Sequence, residues 1–433
     1  MRPLPPALRA YRIGATLLAP GAPALLRWRA GRGKEDPARL GERRGLASHP
    51  RPPGEVAWLH GASIGETLAL MGLAETLAER GLKVLVTSGT RTSAELLAKR
   101  LPPGARHQFV PLDVPRYLRR FLGHWRPAVA IFAESELWPN AVVELAAART
   151  PLVLVNARLS ARSSARWAKH APTTLRALLD RVALVLAQSD ADAARFVAAG
   201  ARAVAATGNL KFDALPPPAD PALVEAQAGR LAGRPLWLAA STHPGEEEAV
   251  LDAHRALASG FPGLVTAIAP RHPERGPDLE ALAIDLGLAA DRRGTGASLE
   301  AARDVYVADT LGELGLFYRL APVVFVGGSL VRRGGQNPIE PARLGAALLH
   351  GPHTANFADV YQALDEAGGA RLVRDAAELA DAVGALLVDP ASSREMARRA
   401  GATVASFTGA LARTLAALEP FLPAPTAAAD AIW

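Results

Sequence analysis

Short runs of apolar residues alternate along the chain with longer stretches in which alanine and leucine recur at helical spacing. Each run is followed by a turn rich in Gly, Ser or Pro and then by a helical stretch such as Thr67–Arg80 or Glu246–Ala258. The runs predict buried strands at Val56–His60, Lys83–Thr87, Val129–Ala133, Leu152–Asn156, Val182–Ala187, Leu236–Ala240, Val265–Ala269 and Val323–Val326. Strands that alternate with helices indicate parallel sheets covered by helices on both faces. The pattern therefore predicts an α/β protein.

A proline-rich segment divides this alternation into two halves. Leu215–Pro221 has the composition of a stiff linker, and the alternation starts again after it. With 433 residues, the chain is long enough for two domains. We expect an N-terminal segment at 1–38 and two doubly wound, Rossmann-like domains, at 39–214 and 222–422, which face each other across a cleft. Ligands of such sheets bind beyond the carboxyl ends of the strands.

Composition and charge exclude several classes of protein. Cysteine is absent, which excludes disulfide scaffolds, iron–sulfur clusters, thiolate metal sites and cysteine nucleophiles. The net charge is +7, but residues 1–54 hold 11 Lys or Arg against 3 Asp or Glu, so the remainder is nearly neutral. Nucleic-acid binders carry a basic stripe on the folded body. A basic N-terminus instead indicates an anionic membrane surface or a nucleic-acid tail.

The apolar run inside the N-terminal segment favours the membrane surface. Gly14–Leu26 is shorter than the ~20 residues of a spanning helix, and Pro20 and Pro23 break it. A cleavable signal peptide is an alternative, but the run ends in Arg-Trp-Arg at 27–29 and lacks a small-residue cleavage site. We expect an interfacial anchor, with arginines bound to lipid phosphates, whose deletion leaves the fold intact.

Three polar sites in the first half are candidates for chemistry. Glu66 stands three residues after Ser63, the spacing of a capping box, so it either caps a helix or acts as a general base. Glu134 and Glu136 directly follow a predicted strand, where the alternative to catalysis is pairing with arginine. Lys211 is one of five lysines and has apolar neighbours, so it is either a surface lysine or a cation that stabilises developing negative charge.

The second half carries signs of a nucleotide site. Ser241–Glu248 follows a strand and shows helix-start signals, so we expect its free backbone N–H groups to hold a phosphate. Arg271 and His272 follow another strand and suit a phosphate or a base. Asp309–Leu314 precedes a predicted helix. Four such loops, counting the glycine-rich segment that follows, predict a nucleotide-type ligand.

That fourth loop combines glycines with a helix start. Four glycines lie between Val326 and Gln336, and glycine allows a backbone to approach a ligand closely. A helix start follows these glycines, with a cap at Asn337, a first-turn proline at Pro338 and an acidic residue at Glu340. Helix capping alone explains these three residues. The spacing matches neither a P-loop nor a dinucleotide fingerprint.

Eight sequence blocks, in this order, closely resemble the 3-deoxy-D-manno-octulosonic acid (Kdo) transferases. They are HGASIGET, ESELWPN, NARLSARS, GNLKFD, STHPGEEE, PRHPER, DTLGEL and FVGGSLVRRGGQNPIEPA, and the resemblance as a whole runs from about Arg39 to about Leu422. The resemblance implies the two-domain GT-B fold and a glycosyltransferase that moves Kdo from CMP-Kdo to a lipid A precursor in lipopolysaccharide synthesis. It also implies action at the cytoplasmic face of the inner membrane, without a metal or another cofactor.

The resemblance further implies functions for particular residues. Glu66 is expected to be the general base, and Glu134 and Lys211 are expected to support the transition state of an inverting-type displacement. The expected CMP-binding positions are Arg271, His272, Leu311, Gly312, Glu313, Asn337, Pro338, Ile339 and Glu340. Gln336 stands where the family usually has His, so hydrogen bonding carries over to this position but an imidazole function does not.

Three other interpretations stay open at this point. A GT-B transferase could use another nucleotide-sugar and a soluble acceptor, although the N-terminal anchor argues against it. A non-catalytic sensor of a nucleotide-sugar would not need Glu66 at the cleft. A two-domain periplasmic binding protein has a similar architecture, but it needs a cleavable signal.

Overall fold

The chain folds into two compact units, each built around a parallel β-sheet. The computed structural model describes residues 3–213, 216–231, 233–299 and 303–423. The first unit comprises Met1–Ala214 and Thr408–Trp433, and the second unit comprises Leu215–Phe407. Leu215, the first residue of the predicted linker, lies outside the described residues. The predicted class, α/β with two doubly wound domains, is confirmed.

The sheet of the first unit explains the continuous apolar runs. Its strands are β1 Val56–His60, β2 Lys83–Ser88, β3 Ala105–Phe109, β4 Val129–Ala133, β5 Leu152–Ala157, β6 Leu184–Ala187 and β7 Val204–Ala206. In the described part of the chain they pair in parallel in the order β3-β2-β1-β4-β5-β6-β7. Strands β1, β4 and β5 are buried along their whole length. Helices cover both of their faces, so these strands lack polar alternation.

Helices pack on both faces of this sheet. They are α1 Pro6–Leu18, α2 Ala22–Ala30, α3 Ile64–Ala69, α4 Met71–Glu79, α5 Arg91–Arg100, α6 Pro115–Trp125, α7 Pro139–Ala147, α8 Ala161–His170, α9 Pro172–Leu179 and α10 Asp190–Ala198. Alternate strand residues enter different cores, with Trp58 and Phe132 in one and Leu59 and Ile131 in the other. The helix predicted at Thr67–Arg80 is two helices, α3 and α4.

The N-terminal segment 1–38 is part of the first unit and not a separate anchor. A 3₁₀ turn at Ala19–Gly21 separates α1 from α2, so the predicted break at Pro20 is confirmed. Leu8 and Leu26 are each 1% exposed, and Leu8 belongs to the core of the unit. The expectation that this segment is separable from the fold is therefore wrong, because its removal uncovers apolar core surface.

Some of the arginines expected to bind lipid phosphates instead hold α1 and α2 to the unit. The guanidinium of Arg12 donates to Glu144 at 2.6 Å and to Asn140 at 3.2 Å. The guanidinium of Arg29 donates to Glu35 at 2.9 Å, and Glu35 is buried. Among the described residues, no helix is both long and apolar enough to cross a membrane.

The second unit repeats the architecture. Its strands are β8 Leu236–Thr242, β9 Val265–Pro270, β10 Ala290–Arg292, β11 Val305–Val307, β12 Val323–Val326, β13 Ala347–His350 and β14 Ala370–Leu372. Where the structure describes the chain, they pair in parallel in the order β10-β11-β9-β8-β12-β13-β14. The helices are α11 Pro221–Leu231, α12 Glu247–Ala258, α13 Gly276–Asp285, α14 Leu314–Leu320, α15 Ile339–Arg343, α16 Ala358–Glu366, α17 Ala376–Val388 and α18 Pro390–Ser406.

The last helix, α19 Ala410–Leu418, returns to the first unit. Asp213 receives backbone N–H groups of Gly409 at 2.7 Å and Leu411 at 2.5 Å. Leu418 is fully buried in the same core as Leu59. This differs from the predicted limits, because residues 408–422 were assigned to the second domain.

Candidate active site

Glu66 lies in the first turn of α3, just beyond the carboxyl end of β1. Ser63 is the N-cap of α3, and its hydroxyl donates to the Glu66 carboxylate at 2.8 Å. The backbone N–H of Ala62 donates to the other carboxylate oxygen at 2.7 Å. Ser63 Oγ in turn accepts the backbone N–H of Glu66 at 3.4 Å, so Glu66 caps the start of α3 in a variant of the capping box, while its side chain stays partly exposed.

Glu134 follows β4 in a backbone conformation that is uncommon for a glutamate. Its φ is +53°, in the left-handed region, although its N–H still donates to Val155 at 2.9 Å. Such a conformation typically costs about 1–3 kcal/mol and is found at functional sites. The turn directs the carboxylate to Lys211, whose Nζ lies 2.6 Å from Oε1. The two side chains are 19% and 34% exposed, so the ion pair is accessible.

Lys211 is held by a short polar network after β7. Asn209 accepts the Lys211 backbone N–H at 3.0 Å, and Asn156 accepts that of Leu210 at 2.9 Å. A Cβ built on Gly65 would lie 4.0 Å from Lys211 Nζ, so the ammonium group is next to the start of α3. The structure thus brings together the three residues that the sequence singled out, Glu66, Glu134 and Lys211.

A buried histidine at the end of β1 lies beside this cluster. The Nδ1 atom of His60 lies 2.9 Å from the Thr87 hydroxyl, and its Nε2 atom lies 3.6 Å from a carboxylate oxygen of Glu136. His60 is fully buried, and Nε2 has no hydrogen-bond partner among the described residues. Trp138 donates its indole N–H to the same Glu136 oxygen. In the sequence, nothing distinguishes His60 beyond its position at the end of a predicted strand.

In the second unit, the loops after β8 and β12 are joined by one buried carboxylate. Glu246 accepts the backbone N–H groups of His243 at 3.0 Å, Gly328 at 2.6 Å, Ser329 at 2.9 Å and Leu330 at 2.8 Å. Burial raises the pKa of Glu246, and these four donors oppose that shift. Glu246 is fully buried, so it organises the loops without reaching a ligand.

The other two glutamates of this acidic block are also used within the fold. Arg275 Nη1 donates to both carboxylate oxygens of Glu247 at 2.6 and 2.7 Å, and Glu248 accepts the N–H of Gly245 at 3.1 Å. The expectation that free N–H groups of this turn hold a phosphate is therefore wrong for His243 and Gly245. Their N–H groups already donate to carboxylates of the same turn.

Positive charge gathers around His243. Burial, together with Arg333, His272 and Arg271, lowers the pKa of His243. Its Nε2 atom lies 3.0 Å from the Gln336 amide nitrogen, which can only donate, so Nε2 acts as the acceptor of a neutral ring. Arg271, His272 and Arg333 are exposed. A neutral histidine among exposed cations marks a region that favours an anion.

The loop before α14 combines an exposed leucine with a fixed carboxylate. Leu311 is 87% exposed, and Gly312 has a φ of +88°, which glycine adopts easily. Glu313 receives a bidentate contact from Arg293 at 3.0 and 2.7 Å, and a further hydrogen bond from Thr310. The Arg293 contact lowers the pKa of Glu313, so the carboxylate is ionised and oriented.

The helix start at α15 is confirmed, one residue later than predicted. Asn337 accepts the N–H of Ile339 at 3.0 Å, and its amide donates to Glu340 at 3.1 Å. The side chains of Pro338 and Ile339 are buried. Any contribution of these two residues to binding would come from their backbone.

The glycines before α15 pack closely against other segments of the second unit. A Cβ on Gly327 would lie 2.7 Å from the carbonyl oxygen of Ser241, and one on Gly334 would lie 2.7 Å from the Asn356 amide. Real Cβ atoms do not approach this closely, so packing within the unit already requires glycine here. Packing therefore accounts for Gly327 and Gly334, and the expectation that the glycines allow a ligand to approach closely stays a prediction.

Comparison with known proteins identifies the family. A family model described as 3-Deoxy-D-manno-octulosonic-acid transferase (kdotransferase) matches residues 38–214. The chain is 40% identical over 400 residues to the 3-deoxy-D-manno-octulosonic acid transferase of Bordetella pertussis, covering 89% of this chain and 91% of that protein. The chain belongs to the 3-deoxy-D-manno-octulosonic acid transferase family. The Haemophilus influenzae relative of the same name is 34% identical over 393 residues, with coverages of 89% and 91%.

Family membership confirms the resemblance seen in the sequence blocks, and the members of this family are glycosyltransferases. Among solved structures, the UDP-GlcNAc 2-epimerase of Neisseria meningitidis covers 83% of this chain and 100% of its own, with 13% identity and a TM-score of 0.53. Anabaena HepE covers 84% and 100%, with 16% identity and a TM-score of 0.53. At this identity the likeness concerns the fold alone, and it confirms the predicted GT-B class.

The CMP-binding positions expected for the family follow β9, β11 and β12 of the second unit, in loops and, for Ile339 and Glu340, in the first turn of α15. Sequence reasoning missed Glu246 as an organising carboxylate, because three consecutive glutamates at a helix start resemble ordinary capping. Within the described residues, no group of three or more His, Asp or Glu side chains is arranged to hold a metal ion.

Proposed function

We propose that this chain transfers Kdo from CMP-Kdo to a lipid A precursor in lipopolysaccharide synthesis. A hydroxyl oxygen of the acceptor attacks the anomeric carbon of Kdo, and the bond from that carbon to the phosphate oxygen of CMP breaks. The hydroxyl proton passes to a base, CMP leaves as an anion, and the displacement is of the inverting type. Family membership supports this reaction, and the observation that carries it is the cluster of Glu66, Glu134 and Lys211.

In this proposal Glu66 is the general base. A carboxylate has about four acceptor positions. The two hydrogen bonds from Ala62 and Ser63 fix the orientation of the Glu66 carboxylate and leave lone pairs for the acceptor hydroxyl. Its position in the first turn of a helix suits a negative charge. The capping and catalytic interpretations of Glu66 are therefore compatible.

Lys211 then stabilises the negative charge that builds up during attack and departure. Its ammonium group is anchored by Glu134 at 2.6 Å, so it does not need to reorganise as the reaction proceeds. Glu134 acts through Lys211, and its strained backbone fixes the direction from which the carboxylate meets the ammonium. Both residues therefore support the transition state.

The second unit binds CMP-Kdo in this proposal. Arg271 and His272 hold the phosphate, since both side chains are exposed after β9 and the His272 ring lies 6.0 Å from that of His243. The nucleoside contacts the segments 311–313 and 337–340. Support comes from the exposed apolar surface of Leu311, against which a base can pack. Gln336 positions His243 by hydrogen bonding, as expected for an amide at this place.

We also propose that the enzyme acts at the cytoplasmic face of the inner membrane, bound through α1 and α2. The apolar side chains that these helices leave exposed are Ile13, Leu17, Leu18, Leu25 and Trp28. Leu17 and Leu18 are 74% and 78% exposed. A helix that packs one face on a domain and leaves apolar side chains on the other can lie in the plane of a membrane interface.

Mass spectrometry of a purified reaction tests the proposal. The protein is incubated with CMP-Kdo and a tetra-acylated, bis-phosphorylated lipid A precursor in detergent, and the lipid product is analysed. We expect addition of one or more Kdo residues and release of CMP in equal amount. Transfer only from another nucleotide-sugar would favour the alternative transferase. CMP-Kdo binding without any transfer would favour a sensor.

A further inference from the structure

The second basic segment of the chain lies far from the N-terminus. Residues 158–179 contain five Arg or Lys and no Asp or Glu, although the chain beyond residue 54 is nearly neutral as a whole. Residues 161–170 of this segment form α8, where Arg162, Arg166 and Lys169 recur at helical spacing with His170 at the end. The overall charge balance therefore hides a local concentration of cations in the first unit.

These cations are exposed and lack carboxylate partners. No residue of α8 is buried, and in the described chain no hydrogen bond or ion pair involves the side chains of Arg162, Arg166 and Lys169. Exposed arginines elsewhere are commonly paired, as Arg398 and Arg399 are with Glu395 at 2.8 Å. An uncompensated row of cations favours a polyanionic partner.

An open cavity lies along the same helix. Its volume is about 350 Å³, and its lining residues are Ser163, Arg166, Trp167, His170 and Ala171. Trp167 is partly buried and packs with one side against the core of the unit. The cavity thus has an aromatic wall with Arg166 and His170 at its rim. This combination suits a molecule with an anionic group next to an apolar part.

The helix is connected to the candidate catalytic cluster. It begins four residues after β5 ends, and β5 is the neighbour of β4 in the sheet. The Ser135 hydroxyl donates to the carbonyl of Arg158, which joins the loop after Glu134 to the segment that leads into α8. Ten helical residues extend over about 15 Å. A molecule that lies along α8 can therefore belong to the same substrate as a sugar near Glu134.

We propose that α8 and its cavity bind a phosphate and the adjoining apolar part of the lipid acceptor. This inference rests on the proposed function and adds to it a subsite in the first unit. The guanidinium groups of Arg162 and Arg166 meet the phosphate, and Trp167 meets the apolar part. Bilayer phospholipid is the competing occupant, and the test below separates the two.

The experiment compares the wild type with Arg162→Gln/Arg166→Gln. Steady-state transfer is measured with a phosphorylated lipid A precursor and with its dephosphorylated counterpart, both in neutral detergent micelles. We expect the variant to raise KM for the phosphorylated acceptor roughly ten- to thirty-fold, the effect of removing two protein cations that face an anionic ligand. The value of kcat and the affinity for CMP should stay within two-fold. With the dephosphorylated acceptor, the two proteins should have equal KM.

The matched control is Lys99→Gln/Arg100→Gln, which removes two exposed cations from α5 of the same unit. Its KM should equal that of the wild type. Equal KM for Arg162→Gln/Arg166→Gln and the wild type with the phosphorylated acceptor would overturn the inference. So would a variant that loses binding to phosphatidylglycerol vesicles while its KM in micelles is unchanged, because α8 would then serve the bilayer.

A direct measurement of acceptor binding distinguishes failure of this inference from failure of the proposed function. The phosphorylated precursor in micelles is titrated into each protein by calorimetry, without CMP-Kdo. If the wild type binds it at least ten-fold more tightly than the variant but transfers no Kdo, the subsite stands and the proposed reaction fails. If both proteins transfer Kdo and bind the precursor equally, the reaction stands and the subsite fails.

Discussion

The two units place a glutamate at corresponding points of the fold, in opposite environments. Glu66 lies in the helix that follows β1, and Glu246 immediately precedes the helix that follows β8; both strands lie where the sheet order changes sides. Each carboxylate accepts a loop N–H, from Ala62 and from His243. Glu66 stays partly exposed next to Lys211, whereas Glu246 is fully buried among four N–H donors.

The comparison shows that the topology of the sheet determines where a functional carboxylate can lie. The burial of that carboxylate determines whether it can contact a substrate or only stabilises the loops. In both sheets, the strands that follow the first strand are added on one side of it and then on the other. The loops at the carboxyl ends of the strands separate at this point and leave room for a ligand. In the first unit these loops carry accessible carboxylates and an ammonium group. In the second unit the carboxylate is enclosed, and exposed cations surround His243 instead. One framework thus carries an accessible carboxylate in one unit and a cluster of exposed cations in the other, as the proposed reaction requires.

The largest effect is expected from Glu66→Gln. Glutamine keeps the shape and much of the hydrogen bonding but cannot accept the acceptor proton, so kcat should fall by ~10²–10⁴. The melting temperature and the affinity for CMP-Kdo should hardly change. Glu79→Gln, an exposed glutamate at the end of α4, is the control and should retain full turnover. Near-normal turnover of Glu66→Gln would remove it as the base and move the search to Glu134 or Glu136.

The corresponding change in the second unit, Glu246→Gln, should act on stability instead. The amide nitrogen cannot accept a hydrogen bond, so at least one buried N–H of the loops loses its partner, at a cost of about 2–4 kcal/mol. Chemical denaturation should show this loss, together with weaker CMP binding. If Glu246→Gln lowered kcat while stability and CMP affinity were unchanged, the contrast between the two glutamates would be wrong.

Arg271→Ala tests the cationic region of the second unit. A charge-assisted contact with phosphate contributes ~1.5–3 kcal/mol, so CMP affinity measured by calorimetry should fall roughly ten- to hundred-fold. Binding of the lipid acceptor to the first unit should not change. Arg371→Ala, an exposed arginine of β14, is the control. Unchanged CMP binding would take Arg271 out of the site.

Leu17→Ser/Leu18→Ser tests whether membrane binding belongs to the first unit. Both side chains are largely exposed, so the change should not affect the fold. Each substitution removes apolar surface that can insert into a membrane, so partitioning to anionic vesicles should weaken by roughly ten-fold. Ile284→Ser/Val388→Ser removes comparably exposed side chains from the second unit and should have no effect. Vesicle flotation measures both. Equal loss in the two variants would contradict a specific role of α1.

Much of the fold could be predicted because buried strands carry a local signal. The runs at Val56–His60, Val129–Ala133 and Val323–Val326 match the observed strands residue for residue. β3 was missed because Arg106, His107 and Gln108 interrupt its apolar character. Strands such as β7 and β10 have three residues, too few for a period of two to be visible.

Contacts between distant segments left no local signal. The return of α19 to the first unit depends on Asp213, which is about two hundred positions away along the chain. The hydrogen bonds from the glycine-rich loop to Glu246 likewise join residues that are 82 to 84 positions apart along the chain. By contrast, Glu66, Glu134 and Lys211 could be found because each lies beside an apolar run or the linker. Their spatial proximity follows from the topology of a parallel sheet.

The last prediction concerns pH and the stability of the first unit. Burial and the Arg39 charge lower the pKa of His107 from 6.5 to about 3. Arg39 donates to Nδ1 at 3.1 Å, so the remaining proton is on Nε2 and is donated to Ser88 at 2.9 Å.

The folded protein therefore keeps His107 neutral while the unfolded chain takes up a proton below about pH 6.5. Stability from this site is complete above pH 6.5 and falls towards pH 3 by about 1.4 kcal/mol per pH unit. His107→Gln should remove this dependence, so the difference in unfolding free energy between wild type and variant should shrink from pH 7 to pH 5. Parallel slopes for the wild type and His107→Gln would show that His107 is not held neutral.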